Sequence, residues 1–247
     1  MKLLGLIGYP LTHSFSEKYF SEKFHSEKIS GYEYRNFPIE TIGKLPEVLA
    51  CKELIGLNVT IPYKEQVLPF LDELDEVAMQ IGAVNTIRIT EREGKRHLAG
   101  YNTDVYGFRQ SLLPHLKPEH KNALILGTGG ASKAIRNVLG ELGIGFKMVS
   151  RRETGNTLGY HDLCMTVIRK NLLIINTTPL GTFPDVDSFP DIPYDLLTEK
   201  HLLYDLVYNP AETKFMMLGM QKGAKAVNGY EMLTLQAEKS WEIWTNP

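Results

Sequence analysis

The chain is predicted to be an α/β protein of two units, each built on a mostly parallel sheet. Three observations lead there. Short apolar runs of strand length alternate with stretches of helical spacing, which is the grammar of βαβ units. The 21 glycines among 247 residues are more than a helical bundle tolerates, because each interior glycine costs helix stability. The length also lies between one ordinary domain of about 100–200 residues and two large ones.

The elements follow in order. Leu3–Gly8 reads as a strand, and Ser14–Lys28 as a helix with Phe15, Tyr19, Phe20 and Phe24 on one face. Tyr32–Phe37 is a second strand, Thr41–Lys52 a second helix and Ile55–Thr60 a third strand. Leu74–Ile81 lies in a further helix. Val84–Thr90 and His97–Tyr101 flank a turn at Gly94, so they form a hairpin and give the sheet an antiparallel edge. The pattern restarts near residue 120. Ala123–Leu126, Phe146–Ser150, Leu172–Asn176 and Leu202–Val207 are strands, and Ala131–Leu142 is a helix. The tail Tyr230–Trp244 is helical, with Leu233, Ala237 and Trp241 marking its buried face. No long linker separates the halves, so Asp104–Leu116 is the expected helical joint.

Composition narrows the function classes. Lys+Arg at 27 against Asp+Glu at 29 gives a net charge of −2. Such a chain has no basic field with which to grip nucleic acid. No run of about 18 apolar residues exists to span a membrane. Cys51 and Cys164 form no CxxC pair, which favours a reducing cytoplasm and offers no cysteine-based metal site. The seven histidines show no HExxH or HxxxH spacing, so no metal is expected.

The sharpest local signal is Ala123–Leu126 running into Gly127-Thr128-Gly129-Gly130-Ala131 and then a helix. Gly127 permits a tight turn, and Gly129 lets the backbone approach a pyrophosphate. The helix N-terminus then offers free N–H groups to the anion. The end of the next strand discriminates between dinucleotides. An NAD site places a carboxylate there for the ribose 2′-hydroxyl. This chain has Ser150-Arg151-Arg152, whose guanidiniums suit a 2′-phosphate, so the expected cofactor is NADP. Arg151 is expected to carry that preference, with Arg152 assisting.

Four polar clusters lie at the C-terminal ends of strands in the first half, where open α/β sheets bind ligands. They are Gly8-Tyr9-Pro10-Leu11-Thr12-His13-Ser14-Phe15-Ser16, Gly56-Leu57-Asn58-Val59-Thr60-Ile61-Pro62-Tyr63-Lys64, Gly82-Ala83-Val84-Asn85-Thr86 and Gly100-Tyr101-Asn102-Thr103-Asp104. Each has a plainer reading beside the functional one. Ser14 with Glu17 fits a capping box, Asn102-Thr103-Asp104 fits an N-cap cluster, and Lys64 alone fits a surface lysine. Gln236 sits on the apolar stripe of the last helix, where it needs hydrogen-bond partners. A bound polyol or a backbone carbonyl would each serve.

Taken together with Asn228-Gly229, Met232-Leu233 and Gln236-Ala237, these blocks resemble the shikimate dehydrogenase family, in the family's order and over nearly the whole chain. The resemblance implies reduction of 3-dehydroshikimate to shikimate with NADP, in the biosynthesis of chorismate and the aromatic amino acids. It implies Lys64 and Asp104 as the catalytic pair. It implies Ser14 and Ser16 on the substrate carboxylate, and Thr60, Asn85, Asp104, Tyr208 and Gln236 around the rest of the substrate. For the cofactor it implies Gly127, Thr128, Gly129, Gly130, Ala131, Ser150, Arg151, Arg152, Leu206 and Gly229. The implied organisation is a substrate unit of 1–103 plus 225–247, a Rossmann-like NADP unit of 104–224, and a cleft between them. The implied assembly is a monomer or homodimer.

The chain departs from the family pattern in places. Glu17, Phe20 and Ser21 stand where Pro and His-Asn are usual, Ser150 stands where Asn is frequent, and residues 153–171 are abbreviated. Two rival functions use the same residues: a quinate/shikimate dehydrogenase with relaxed cofactor use, and a non-catalytic NADP-binding regulator. Whether Lys64 acts as a base or as an oriented donor depends on burial and on its carboxylate neighbour, which pull in opposite directions.

Overall fold

A computed structural model describes residues 1–11, 14–152, 155 and 157–246. The chain divides into two compact units, Met1–Thr103 with Ala237–Pro247 and Asp104–Gln236.

The first unit contains β1 (Lys2–Gly8), α1 (Phe15–Ser26), β2 (Tyr32–Pro38), α2 (Leu45–Leu49), β3 (Leu54–Val59), β4 (Glu73–Leu74), α3 (Glu76–Ile81), β5 (Thr86–Arg92) and β6 (Lys95–Tyr101). The sheet order is β2-β1-β3-β5-β6-β4. β1 runs parallel to both β2 and β3, whereas β5 is antiparallel to β3 and to β6. The hairpin turns at Glu93 and Gly94, both at positive φ, as a two-residue connection that follows the strand twist requires.

Leu3, Ile7, Leu45, Leu57, Val59 and Ile87 form one buried cluster of this unit. Leu4, Leu6, Phe20, Tyr34 and Trp244 form another. The second cluster explains the aromatic face of α1. Phe20 stacks on Tyr34 with ring centroids 4.7 Å apart and meets Trp244 at 5.5 Å.

Gly56 is required at the point where Trp244 crosses β3. A Cβ there would lie 2.3 Å from the indole, whose Nε1 donates to the Ile87 carbonyl at 2.9 Å. Gly56→Ala is expected to cost about 1–3 kcal/mol through overpacking. At about 2–4 °C per kcal/mol, a thermal melt followed by circular dichroism should fall by several degrees. An unchanged melt would mean that the indole moves aside freely.

After α4 (Thr103–Leu112) come β7 (Asn122–Leu126), α5 (Gly130–Glu141), β8 (Gly145–Val149), β9 (Thr157–Leu158), α6 (Met165–Lys170), β10 (Leu173–Asn176), β11 (Leu202–Asp205), α7 (Lys214–Met220), β12 (Lys225–Val227) and α8 (Tyr230–Thr245). The second sheet has the order β12-β11-β10-β7-β8-β9, and every pairing in it is parallel. This is the doubly wound Rossmann order, with its switch point between β7 and β10. Leu124, Leu126, Ile174, Leu203 and Phe215 belong to its core.

Four expectations are corrected. The predicted helix over Thr41–Lys52 contracts to a 3-10 turn at Ile42–Lys44 and the five-residue α2, which has Pro46 in its first turn. Leu74 belongs to β4, because Asp75 caps α3 by accepting from Ala78 N at 2.8 Å. The return to the first unit falls after Gln236 and not at 225, because β12 pairs with β11 in the second sheet. The deepest stripe of α8 is Met232, Gln236, Ser240 and Trp244, one position away from the predicted Leu233, Ala237 and Trp241, of which only Ala237 is fully buried.

Candidate functional site

In the first unit, the C-terminal ends of β1 and β3 and the strand starting at Thr86 carry most of the predicted polar residues. Thr60 follows β3 directly, and its N–H donates to the Ile7 carbonyl at 3.0 Å. Lys64 lies four residues further on, in a segment anchored by Tyr63. The Tyr63 ring is buried, and its hydroxyl donates to the Ile39 carbonyl. The Lys64 carbonyl accepts from Val84 N at 2.8 Å, which ties the lysine's main chain to the turn carrying Asn85.

Asn85 is nearly inaccessible, at 3% exposure. Its Oδ1 accepts from Thr103 N at 2.8 Å, and its Nδ2 donates to Thr103 Oγ1 at 3.0 Å. Asn102 Nδ2 donates to the Ala83 carbonyl at 2.9 Å. Side chains from two predicted clusters thus lock onto each other just before Asp104, the first residue of the second unit and the second residue of α4.

Beneath them lies a buried polar network that sequence reasoning missed. Tyr34 donates to Asn58 Oδ1 at 2.8 Å, and Asn58 Nδ2 donates to Ser240 Oγ at 3.1 Å and to Thr86 Oγ1 at 3.3 Å. Thr86 and Ser240 hydroxyls lie 2.8 Å apart. Satisfied polar groups of this kind rigidify what sits on them. Burial pushes the Tyr34 phenol well above its usual range, and a hydrogen bond with the Ser16 side chain opposes that push. Ser16 is thereby seated against the network.

Ser14 does cap α1, its Oγ accepting from Glu17 N at 3.3 Å. A hydroxyl used as an acceptor still carries a proton to donate, so the cap leaves the predicted anion contact chemically open. His13 and Thr12 of the same cluster lie outside the described residues.

The second unit holds a cleft of about 820 Å3 at the switch point of its sheet. Gly127, Thr128 and Gly129 line one side, and Val149, Ser150 and Arg151 line another. Gly127 adopts φ +101°, and a Cβ there would meet Thr177 Oγ1 at 2.9 Å. A side chain at Gly129 or Gly130 would meet no protein atom within 4 Å. The N-terminus of α5 therefore opens onto the cleft with unhindered backbone, as an anionic ligand needs. Ala131 continues the first turn of α5.

Both arginines are exposed, but Arg151 lines the cleft and Arg152 does not. Arg152 N donates to Ser150 Oγ at 3.2 Å. The donor set fits a dinucleotide with a 2′-phosphate: a free helix N-terminus, a guanidinium, and no carboxylate at Ser150. Asp191 also lines the cleft, so the field is not purely positive.

Residues outside the predicted set complete this wall. Thr177, Thr178 and Leu180 follow β10, and Tyr160 and His161 lie between β9 and α6. The Thr-Thr pair was findable, since it too sits at the C-terminal end of a predicted strand.

The remaining predicted residues also fall in the second unit. Gly229 donates its N–H to the Val207 carbonyl at 3.1 Å, and a Cβ there would lie 2.2 Å from the Leu206 carbonyl oxygen. Glycine is obligatory at that crossing. Tyr208 is half-buried, and burial raises its phenol above the usual range. Gln236 Nε2 donates to the Leu233 carbonyl at 2.8 Å, which is the plainer of the two sequence readings for that hydrogen. Among the described residues no helix is long and apolar enough to cross a membrane. Among them, too, no group of three or more His, Cys, Asp or Glu could hold a metal.

A family model described as the shikimate dehydrogenase substrate binding domain matches residues 6–87. The shikimate dehydrogenase (NADP(+)) of Clostridium beijerinckii is 39% identical over 257 residues, covering 99% of this chain and 92% of that protein. The structure of shikimate 5-dehydrogenase from Thermus thermophilus in complex with NADP(H) and shikimate matches with a TM-score of 0.85 at 30% identity. It is covered to 94%, and this chain to 100%. Quinate dehydrogenase from Corynebacterium glutamicum in complex with NAD matches with a TM-score of 0.86 at 27% identity, with 100% of this chain and 94% of that one covered.

Proposed function

The chain belongs to the shikimate dehydrogenase family, and on that premise we propose that it interconverts 3-dehydroshikimate and shikimate with NADP(H). The observation that carries the reading is the lock around the predicted catalytic residues. The Lys64 main chain is bonded to Val84, and Asn85 is bonded through both ends of its amide to Thr103, the neighbour of Asp104. Reactive side chains must be held to a fraction of an ångström to work, and here the backbone beneath them is fixed by buried hydrogen bonds.

The chemistry follows from what a ketone reduction needs. Bound NADPH supplies a hydride to the ring carbonyl carbon. The carbonyl oxygen then requires a proton, which Lys64 Nζ delivers in reduction and takes back in oxidation. Asp104 orients that ammonium group. Ser14 and Ser16, at the start of α1, address the substrate carboxylate, and Thr60, Asn85, Tyr208 and Gln236 address hydroxyls and the ring. The same reading includes a cytoplasmic enzyme acting as a monomer or homodimer in aromatic amino acid biosynthesis.

The test is absorbance at the reduced-nicotinamide band, with shikimate or quinate each offered against NADP+ or NAD+. Shikimate with NADP+ is expected to give the highest kcat/KM. Dominance of quinate with NAD+ would instead identify a quinate/shikimate dehydrogenase with relaxed cofactor use. Four blanks with retained NADP+ binding would identify a regulator.

A further inference from the structure

Asp205 is a carboxylate with no exposed surface, at the last position of β11, and the catalytic scheme does not use it. Its strand neighbour in register is Asn176, equally buried at the last position of β10. Asp205 Oδ1 accepts from Asn176 Nδ2 at 2.9 Å and from Val207 N at 3.0 Å. Oδ2 accepts from Thr213 Oγ1 at 2.6 Å. Asn176 passes the connection on, its Oδ1 accepting from Thr178 N at 3.0 Å and from Thr178 Oγ1 at 2.6 Å. Thr178 and Thr177 then press on Gly127, at 3.0 and 2.9 Å from where its Cβ would be. On the other side, Val207 carries the carbonyl that receives Gly229 N.

We infer that Asp205 is a positioning residue for the cofactor, one carboxylate setting both the 176–180 loop and the 206–208 loop at the C-terminal ends of β10 and β11. The inference rests on the assignment of NADP to this unit. Valence singles out a carboxylate. Three donors converge on one side chain, and only a carboxylate offers two acceptor oxygens and no hydrogen of its own. An amide at this position would turn its NH2 towards at least one donor. Burying a carboxylate is costly even when it is hydrogen-bonded, and burial does push this acid up to about 6 against the pull of its three donors. A side chain kept at such a cost, bonded to the strand end whose following loop lines the cleft, suits a geometric task better than a packing one.

The experiment compares the wild type with Asp205→Asn in steady-state kinetics and in direct NADP+ and shikimate binding. KM and Kd for NADP+ are expected to rise roughly tenfold, while Kd for shikimate stays within about twofold. Ile174→Val, a core change on β10, supplies a control for destabilisation alone and is expected to leave NADP+ affinity unchanged. If Asp205→Asn does not fold, Thr178→Val breaks the same chain one link later, and Thr178→Ser restores the hydroxyl. NADP+ affinity should fall in the first and recover in the second.

Wild-type NADP+ affinity in Asp205→Asn, or an equal loss in Ile174→Val, would overturn the inference. So would an unchanged Thr178→Val, or a Thr178→Ser that fails to recover. A wild type that binds no NADP+ at all would overturn the cofactor assignment beneath it instead.

Discussion

Lys64→Met is expected to lower kcat by at least about two orders of magnitude while changing KM for shikimate only a few-fold. Methionine keeps an unbranched stem of similar length and removes the group that moves the proton. A positioned general acid or base contributes typically about 10²–10⁴-fold. The main chain at this position depends on other groups, since the Lys64 carbonyl is held by Val84 N and the preceding Tyr63 is a buried anchor. The variant should therefore melt within a few degrees of the wild type, and the lost rate then reports chemistry. A fall in kcat without a matching rise in KM is the signature of an interaction made only in the transition state. Steady-state kinetics beside a thermal melt provides the check. A variant within about threefold of wild-type kcat would remove Lys64 from the mechanism.

The elements most legible in the sequence were those whose neighbours are local or whose burial is complete. Leu3–Gly8 and Ala123–Leu126 are continuous apolar runs, and both became strands within one residue of the predicted start. Thr41–Lys52 misleads because its apolar spacing is helical, yet Pro46 has no N–H to bond four residues back, so α2 starts only at Leu45. Lys225–Val227 went unread because three residues with an exposed lysine carry no periodic signal. Its strand character comes from pairing with β11 alone.

The site divides in the same way. Most motifs with a strand before them are legible, because a strand's C-terminal end is a local feature; Thr177-Thr178 after β10 is the exception. Ser240 and Asp205 are not legible, because their meaning lies in partners far away in the chain: Ser240 in Thr86, Asp205 in Asn176. Gln236 shows the limit most sharply. Its place on the inward side of α8 is unusual for a polar residue. Its burial belongs to a stripe with Met232, Ser240 and Trp244, and part of its hydrogen-bonding goes to its own helix at Leu233. An inward polar residue is thus a reliable sign of constraint, but its partner is a matter of three-dimensional placement.

Arg151→Ala is expected to reduce kcat/KM with NADPH by roughly ten- to a hundredfold and to leave kcat/KM with NADH within about twofold. Hydrogen bonds to charged groups are worth about 1.5–3 kcal/mol, and each 1.4 kcal/mol is roughly tenfold. Arg151 is placed for this, because it lines the cleft beside Ser150, just past the end of β8, a strand that carries no acidic residue. Arg152 is not in that wall, so Arg152→Ala should move the ratio less. Asp191 lines the same cleft, and its carboxylate opposes a 2′-phosphate. Removing the guanidinium therefore leaves the phosphate facing an uncompensated negative group, which pushes the loss towards the upper end of the range. Charge of this kind is screened over about 8 Å at physiological ionic strength, so the ratio of the two cofactors should converge as salt is raised. A ratio that does not move on substitution would show that the phosphate preference, if present, is set elsewhere in the cleft.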